Sequence, residues 1–555
     1  MRYLAVIVAL TARFPAAGEQ LKLLDILDQE LRRNYKILSE KADPLVYFLA
    51  YAVTEQENHS IAASMGTLYN SSERKGRYLD VTVRVGSRKL DNYHRIRGDF
   101  PQFTRGTAIA VEDSPAAIQR ALWAETDRLY RLAAQRLINI RTNKEVLVAE
   151  REASDDFSAE EPSQFEEEPP MLRFDRLEWT RRAKLWSAEF MKYPGILTSQ
   201  VSVSAVREVK FLVTTEGTRV RHGRNLSRIA VTAQSKASDG MDLSTGYTYD
   251  ASDPGRLPDD REVRKQITKV AADLTRLLNA PLVDPYVGPA ILSGRAAGVF
   301  FHEIFGHRVE GHRLKDESDG QTFARSVGTK VLPDFISVVF DPTKRNGAGE
   351  DLNGLYAFDD EGVKARPVTV VEKGIFKTFL MSRTPIPSLG ASNAHGRRQP
   401  GAEVVSRQSN LIVDSSASVP PQKLRELLIA EVKRQNKLYG YYFEDITGGF
   451  TTTERRGIQA FKVIPVVVYR VYADGRKDEL VRGADIVGTP LASFAKIVAT
   501  DDKPEVFNGY CGAESGSVPV SALVPAVLVS ELEIQKKDSS RERPPLLPPP
   551  TAGGR

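Results

Sequence analysis

Two histidines bracketing a glutamate, His302-Glu303-Ile304-Phe305-Gly306-His307, and one distant thiol, Cys511, are the residues of this chain best suited to chemistry. Imidazole nitrogens are neutral metal ligands, and a neighbouring carboxylate can take a proton from metal-bound water, as a hydrolytic zinc site requires. Cys511 is the only cysteine among 555 residues, so no disulfide can form within the chain. It lies in Asn508-Gly509-Tyr510-Cys511-Gly512, where a glycine-flanked thiol can approach a metal closely. Two His and one Cys leave a fourth position open for water, the pattern of catalytic zinc sites.

The spacing is unusual. Histidines four apart share one face of a helix. A step of five separates them by about 140° around the axis. Convergence therefore requires a π-type bulge, an overrun, or a distortion near Gly306. Three of the seven histidines, His302, His307 and His312, fall within eleven residues, directly after the apolar Ala296-Ala297-Gly298-Val299-Phe300-Phe301. His312 repeats the five-residue step and rivals Cys511 as third ligand; the affinity of zinc for thiolate favours Cys511. Glu310, two helical turns past Glu303, is placed to support a ligand histidine or to sit in solvent.

The chain resembles the TldD/PmbA metallopeptidases over about 280–535. Tyr286-Val287-Gly288-Pro289 leads into the motif, which runs on into Val309-Glu310-Gly311. Phe358-Asp359-Asp360-Glu361-Gly362, Gly448-Gly449-Phe450, Val481-Arg482-Gly483-Ala484 and Cys511-Gly512 through Ser517-Val518-Pro519-Val520 follow in family order. The intact H-E-x-x-x-H is similar to the active, TldD-type member; the partner-type subunits lack it. The resemblance implies Zn2+ held by His302, His307 and Cys511, with Glu303 as general base, and hydrolysis of peptide bonds in small or unfolded polypeptides. It also implies a dimer, either of this chain with itself or with a metal-free paralogue. The alternatives are a zinc amidase or deacylase acting on a non-peptide bond, and a non-catalytic subunit of such a complex. An oxyanion donor is sought in His395, Arg397 or Arg398, within Ser392-Asn393-Ala394-His395-Gly396-Arg397-Arg398.

The elements that must position these residues read as α+β: a mixed α/β N-terminal region, then a β-rich C-terminal region carrying the metal-binding helix. Helices are expected over Gln20–Ser39, Ser114–Leu137 (opening on Ser114-Pro115), 172–193, Arg261–Leu278 and Lys423–Asn436. Strands are expected over Val46–Thr54, Ile61–Asn70, Tyr78–Val85, within Thr198–Thr248, and over Ile464–Tyr472 before an Asp474-Gly475 hairpin. The division is 19–280 as a domain shaping the substrate approach and 281–536 as the zinc peptidase domain. The acidic stretch 149–170 is expected as an exposed linker or loop, and 537–555 as a Pro-rich disordered tail.

Composition agrees with a multi-domain globular enzyme: 41% apolar, 27% charged, and a net charge of only +5 on 77 basic and 72 acidic groups. No phosphate-cradling Gly-rich loop or basic–aromatic interleaving points to nucleic acid. No run is long enough to span a membrane. Residues 1–18, with Leu4-Ala5-Val6-Ile7-Val8-Ala9-Leu10 before Pro15-Ala16-Ala17-Gly18, resemble a short secretory signal, which favours export over a cytoplasmic location.

Overall fold

Period-two alternation dictates the N-terminal architecture. In β1 (Val46–Ser64), Leu49, Tyr51, Val53, Ile61 and Ala63 point to one face, and Phe48 and Ala50 to the other. β1 pairs antiparallel with β2 (Thr67–Ser87) and with β3 (Thr198–Thr214), and β3 pairs in turn with β4 (Arg219–Lys236) and β4 with β5 (Asp242–Ala251). The odd-numbered face of β1 is covered by helices. α1 (Leu23–Glu40) and α2 (Pro115–Val146) pack at one end, α3 (Arg176–Ser187) and α4 (Asp260–Leu278) at the other. The opposite face is turned to the C-terminal half: Arg224 donates to the carbonyl of Leu355, Lys210 pairs with Asp360, and Arg228 donates to the carbonyl of Asn508.

The structure is a computed structural model that describes residues 22–96, 100–146, 154–316, 319–387, 389–451, 453, 461–488, 493–537 and 545. The signal-like segment 1–18 lies outside the described residues, as does the Pro-rich tail apart from Lys537 and Pro545. No helix among the described residues is long and apolar enough to cross a membrane.

The C-terminal half is built from two sheets with one helix between them. β6 (Tyr286–Leu292), β7 (Tyr439–Thr451), β8 (Phe461–Tyr472), the strand Ala484–Gly488 and β11 (Val527–Lys536) hydrogen-bond in that order, and β11 returns to β6, closing a ring. The second sheet carries Ile336–Phe340, Asn410–Ser415, β10 (Gly516–Val524) and β9 (Glu505–Ala513) side by side. α5 (Gly294–Ile304) lies against β7 and β8 of the ring and against β9 and β10, and nearly all its residues are buried. Apolar residues around its whole circumference make this the core helix of the half. The chain is α+β, with the mixed part first and the β-rich part second.

Two expectations are corrected and a third is refined. Ile61–Asn70 is not one strand: it straddles the turn at Met65-Gly66, where both residues adopt positive φ, and β1 and β2 form a single long hairpin. The Asp474-Gly475 turn closes β8 onto Glu479–Val481 through a longer loop than a two-residue hairpin. Within 149–170, the described residues 154–170 form a largely exposed loop, as expected, but one tethered at both ends. Phe157 is buried against Phe48, and Asp156 and Phe157 both bond to the carbonyl of Arg88. Gln164–Glu166 pairs in parallel with Arg219–Arg221, where Glu166 and Glu168 meet Arg219 and Arg221. The acidic charge answers arginines of β4, and one phenylalanine anchors the run in an apolar pocket.

Candidate metal centre

α5 begins at a Ser293 cap, whose Oγ accepts from the backbone N–H of Ala296 at 3.1 Å. Two glycines let it approach the second sheet. A Cβ on Gly294 would sit 2.5 Å from the carbonyl oxygen of Val524, and one on Gly298 3.1 Å from the Ala522 side chain. The helix stops at Ile304, and the chain turns through a short 3-10 segment, Gly306–Arg308, that swings His307 back toward His302. The five-residue step is thus met by a break in the helix at Gly306. A Cβ there would lie 1.9 Å from Oε1 of Gln408, so a larger residue would displace the Gln408 amide. Gln408 in turn donates to the carbonyl of His302 at 3.2 Å and holds the end of the helix.

Cys511 arrives from β9, paired with Val518 of β10. Its Sγ lies 3.2 Å from His302 Nε2 and 3.4 Å from His307 Nε2, and the three ligand atoms all fall within 4.8 Å of one another. Tetrahedral bonds of about 2.05 Å to nitrogen and 2.3 Å to sulfur place such atoms about 3.5 Å apart, so the trio fits a zinc ion. Burial opposes ionisation of the Cys511 thiol, yet His307 and His302 beside it hold its pKa well below the usual thiol range, which favours the metal-ligating thiolate.

Glu303 stands beside the trio, its Oε2 4.0 Å from His307 Nε2. Gly449 of β7 makes room for it: a Cβ there would meet Glu303 Cγ at 2.8 Å and the carbonyl of Lys462 at 3.0 Å. Behind His307, Glu310 is completely buried and its Oε2 lies 3.1 Å from His307 Nδ1. Burial opposes the Glu310 charge, but His307 and Arg313 hold its carboxyl far below the usual range. Arg313 donates to Glu310 at 2.9 Å and to Glu514 at 2.6 Å, and Arg407 donates to the carbonyl of Cys511 at 2.6 Å.

The remaining sequence candidates lie elsewhere. His312 is not in the trio; its Nε2 stands 3.7 Å from Glu514. His395 is fully buried, with Nδ1 facing the carbonyl of Asn393 and Nε2 facing Ser409 Oγ. Arg397 donates to the carbonyl of Pro519, and Arg398 packs toward Asp80. None of these three lines the cleft at the trio, so their reading as oxyanion donors is withdrawn: each is taken up in the seam between strands. Sequence reading missed Arg407 and Gln408. Their signal is the polar run Ser406-Arg407-Gln408-Ser409-Asn410, every residue of which is completely buried.

The trio and Glu303 line a cleft of about 610 Å³. One wall is Arg228, Thr232 and Thr248 of the N-terminal sheet; the other is Ile446 to Thr451 of β7 and Asn508 to Glu514. Arg228 is braced by Asp250 at 2.8 Å and lies over the ring of Tyr510.

Comparison with known proteins agrees with this region. Residues 286–536 match the family model of the PmbA/TldA metallopeptidase C-terminal domain. A metalloprotease of Methanocaldococcus jannaschii is 28% identical over 246 residues, 44% of this chain and 50% of that protein. A zinc metalloprotease TldD homolog of Saccharolobus solfataricus is 24% identical over 308 residues, 54% of this chain and 61% of that protein. The chain thus spans half to three fifths of these relatives' length. The crystal structure of TldE from Thermococcus kodakarensis superposes with a TM-score of 0.62 at 14% identity, covering 92% of this chain and all of that one, and so shares the fold.

Proposed function

We propose, from the premise that this chain belongs to the TldD/PmbA family, that it is a zinc-dependent metallopeptidase with His302, His307 and Cys511 as ligands and Glu303 as general base. The observation that carries this reading is the convergence of two imidazole nitrogens and one thiolate within 4.8 Å, next to a carboxylate. Zinc held there would acidify water and polarise a carbonyl.

The chain's own groups supply the rest. Glu303 removes the proton of the attacking water and returns it to the leaving amine. Glu310 accepts the Nδ1 proton of His307 and so keeps Nε2 free to ligate. The ligands and Glu303 are at most 9% exposed, at the base of a cleft walled by both halves of the chain. An extended chain reaches them and a folded surface does not, which favours small or unfolded polypeptides as substrates. The active assembly is a dimer, with a second copy or a metal-free paralogue, readable by light scattering of the purified protein.

The test is hydrolysis of a quenched-fluorescence peptide library by the purified chain. Activity is expected to vanish with a chelator and return with zinc. Glu303→Gln is expected to keep its metal and lose on the order of 10²–10⁴ in rate. Chelator-resistant hydrolysis, or wild-type rates in Glu303→Gln, contradicts the reading.

A further inference from the structure

The face of the N-terminal sheet turned to the C-terminal half closes over a second cavity, of about 70 Å³, that shares no lining residue with the metal cleft. One side of it is apolar, formed by Phe48, Phe157 and Leu212. Polar residues line it too, and four of their buried atoms have no hydrogen-bond partner: Arg84 Nε, Tyr93 Oη, Arg383 Nε and Arg398 Nη1. The Arg84 and Arg383 guanidinium groups also stack on Phe157, each 3.9 Å from its ring centre. Arg84, Arg383 and Arg398 are each at least nine-tenths buried. All three bear on Glu361 in the same wall, but Arg84 pairs with Asp91 at 2.6 Å and Arg383 with Glu216 at 2.7 Å, which leaves Arg398 as the least compensated.

All four unpartnered atoms can donate. Leaving a buried donor unmade is costly, and native proteins rarely leave several in one place. The carboxylates of the wall do not answer them. Glu403 Oε1 accepts from the backbone N–H groups of Phe103 and Thr104, Glu361 Oε2 from that of Arg383, Asp360 from that of Arg398 while pairing with Lys210, and Asp156 from that of Asp91 while pairing with His94. The carboxylate paired with Arg398, Asp80, stands 4.0 Å from its Nε. A water molecule fits the space, which exceeds the roughly 15 Å³ that one water needs. Water, however, brings two donors of its own to a wall already in surplus of them. A ligand that only accepts fits better, and guanidinium groups are the side chains suited to planar and tetrahedral oxyanions.

We propose that this cavity is a binding site for a small oxyanion, phosphate or carboxylate, held by Arg84, Arg398 and Tyr93 in the seam between the two halves of the chain. The site is independent of the metal cleft and of the peptidase reading. An occupant would bridge β2 to the segment around Arg398 and so stiffen the seam.

The test is isothermal titration of the full chain with inorganic phosphate, and separately with acetate, at fixed ionic strength set with chloride. Saturable binding of about one equivalent is expected. Tighter binding of phosphate identifies a phosphate-bearing ligand, and tighter binding of acetate a carboxylate-bearing one. Arg398→Gln is expected to weaken binding by about tenfold or more. Should that variant not fold, Tyr93→Phe removes a single oxygen and is expected to weaken binding about threefold or more. Binding of neither anion, or binding unchanged in the variant that folds, overturns the proposal. Because both variants lie outside the metal cleft, anion bound at a metal would leave them unaffected and so count against it.

Discussion

His307 is gripped on both edges of its ring: Nδ1 is 3.1 Å from Glu310 Oε2, and Nε2 is 3.4 Å from Cys511 Sγ. With a metal bound, the contact on Nδ1 would hold the neutral tautomer that leaves Nε2 free to ligate. Glu310→Gln keeps the shape and removes the charge. It is expected to weaken zinc binding by about 10–100-fold, read by competition with a chromophoric chelator. Unchanged affinity would reduce Glu310 to an ion-pair partner of Arg313.

Gly449 tests the placing of the base. Its missing Cβ leaves the space that Glu303 Cγ occupies, and the carbonyl of Lys462 blocks the other direction. Gly449→Ala is expected to push Glu303 aside, lowering kcat by about 10²-fold while the metal content stays at the wild-type level. Equal loss of metal and of rate would mean that the substitution disturbs the ligands as well.

Much of the site was legible in the residues and less in their spacing. His302, Glu303, His307 and Cys511 announce their chemistry by type, and the three ligand atoms do converge. The break that lets a five-residue step work was readable only as a distortion near Gly306, because the side chain packed against it, Gln408, is about a hundred residues away. Period-two patterns located the strands well, since one face of each is buried. They failed at Met65-Gly66, where apolar residues continue straight through a turn. The acidic stretch was legible as an exposed loop but not as a tethered one, because composition does not record the arginines of β4 that pair with it. His395 misled for the opposite reason: polar residues in a motif suggest chemistry, while this one fastens Asn393 to Ser409.

Burial gives His395 a measurable signature. It drives the imidazole pKa down to about 3, below its ordinary value of 6.5. Between those values the unfolded chain binds a proton that the folded chain refuses, so this group's share of stability falls as pH falls below about 6.5. From pH 7 to pH 5 it should remove about 2 kcal/mol. His395→Asn is expected to be less stable at pH 7 but to lose about that much less on acidification, read as urea midpoints by circular dichroism. Parallel losses in the two proteins would show that His395 is protonated in the folded state.

The most direct test of the central claim is zinc per chain in dialysed wild-type protein beside Cys511→Ala, by elemental analysis. The expected result is about one zinc in the wild type and strong loss in the variant, because removing the thiolate leaves only two protein ligands. Full zinc retained in Cys511→Ala, or none in the wild type, would contradict a His302–His307–Cys511 centre.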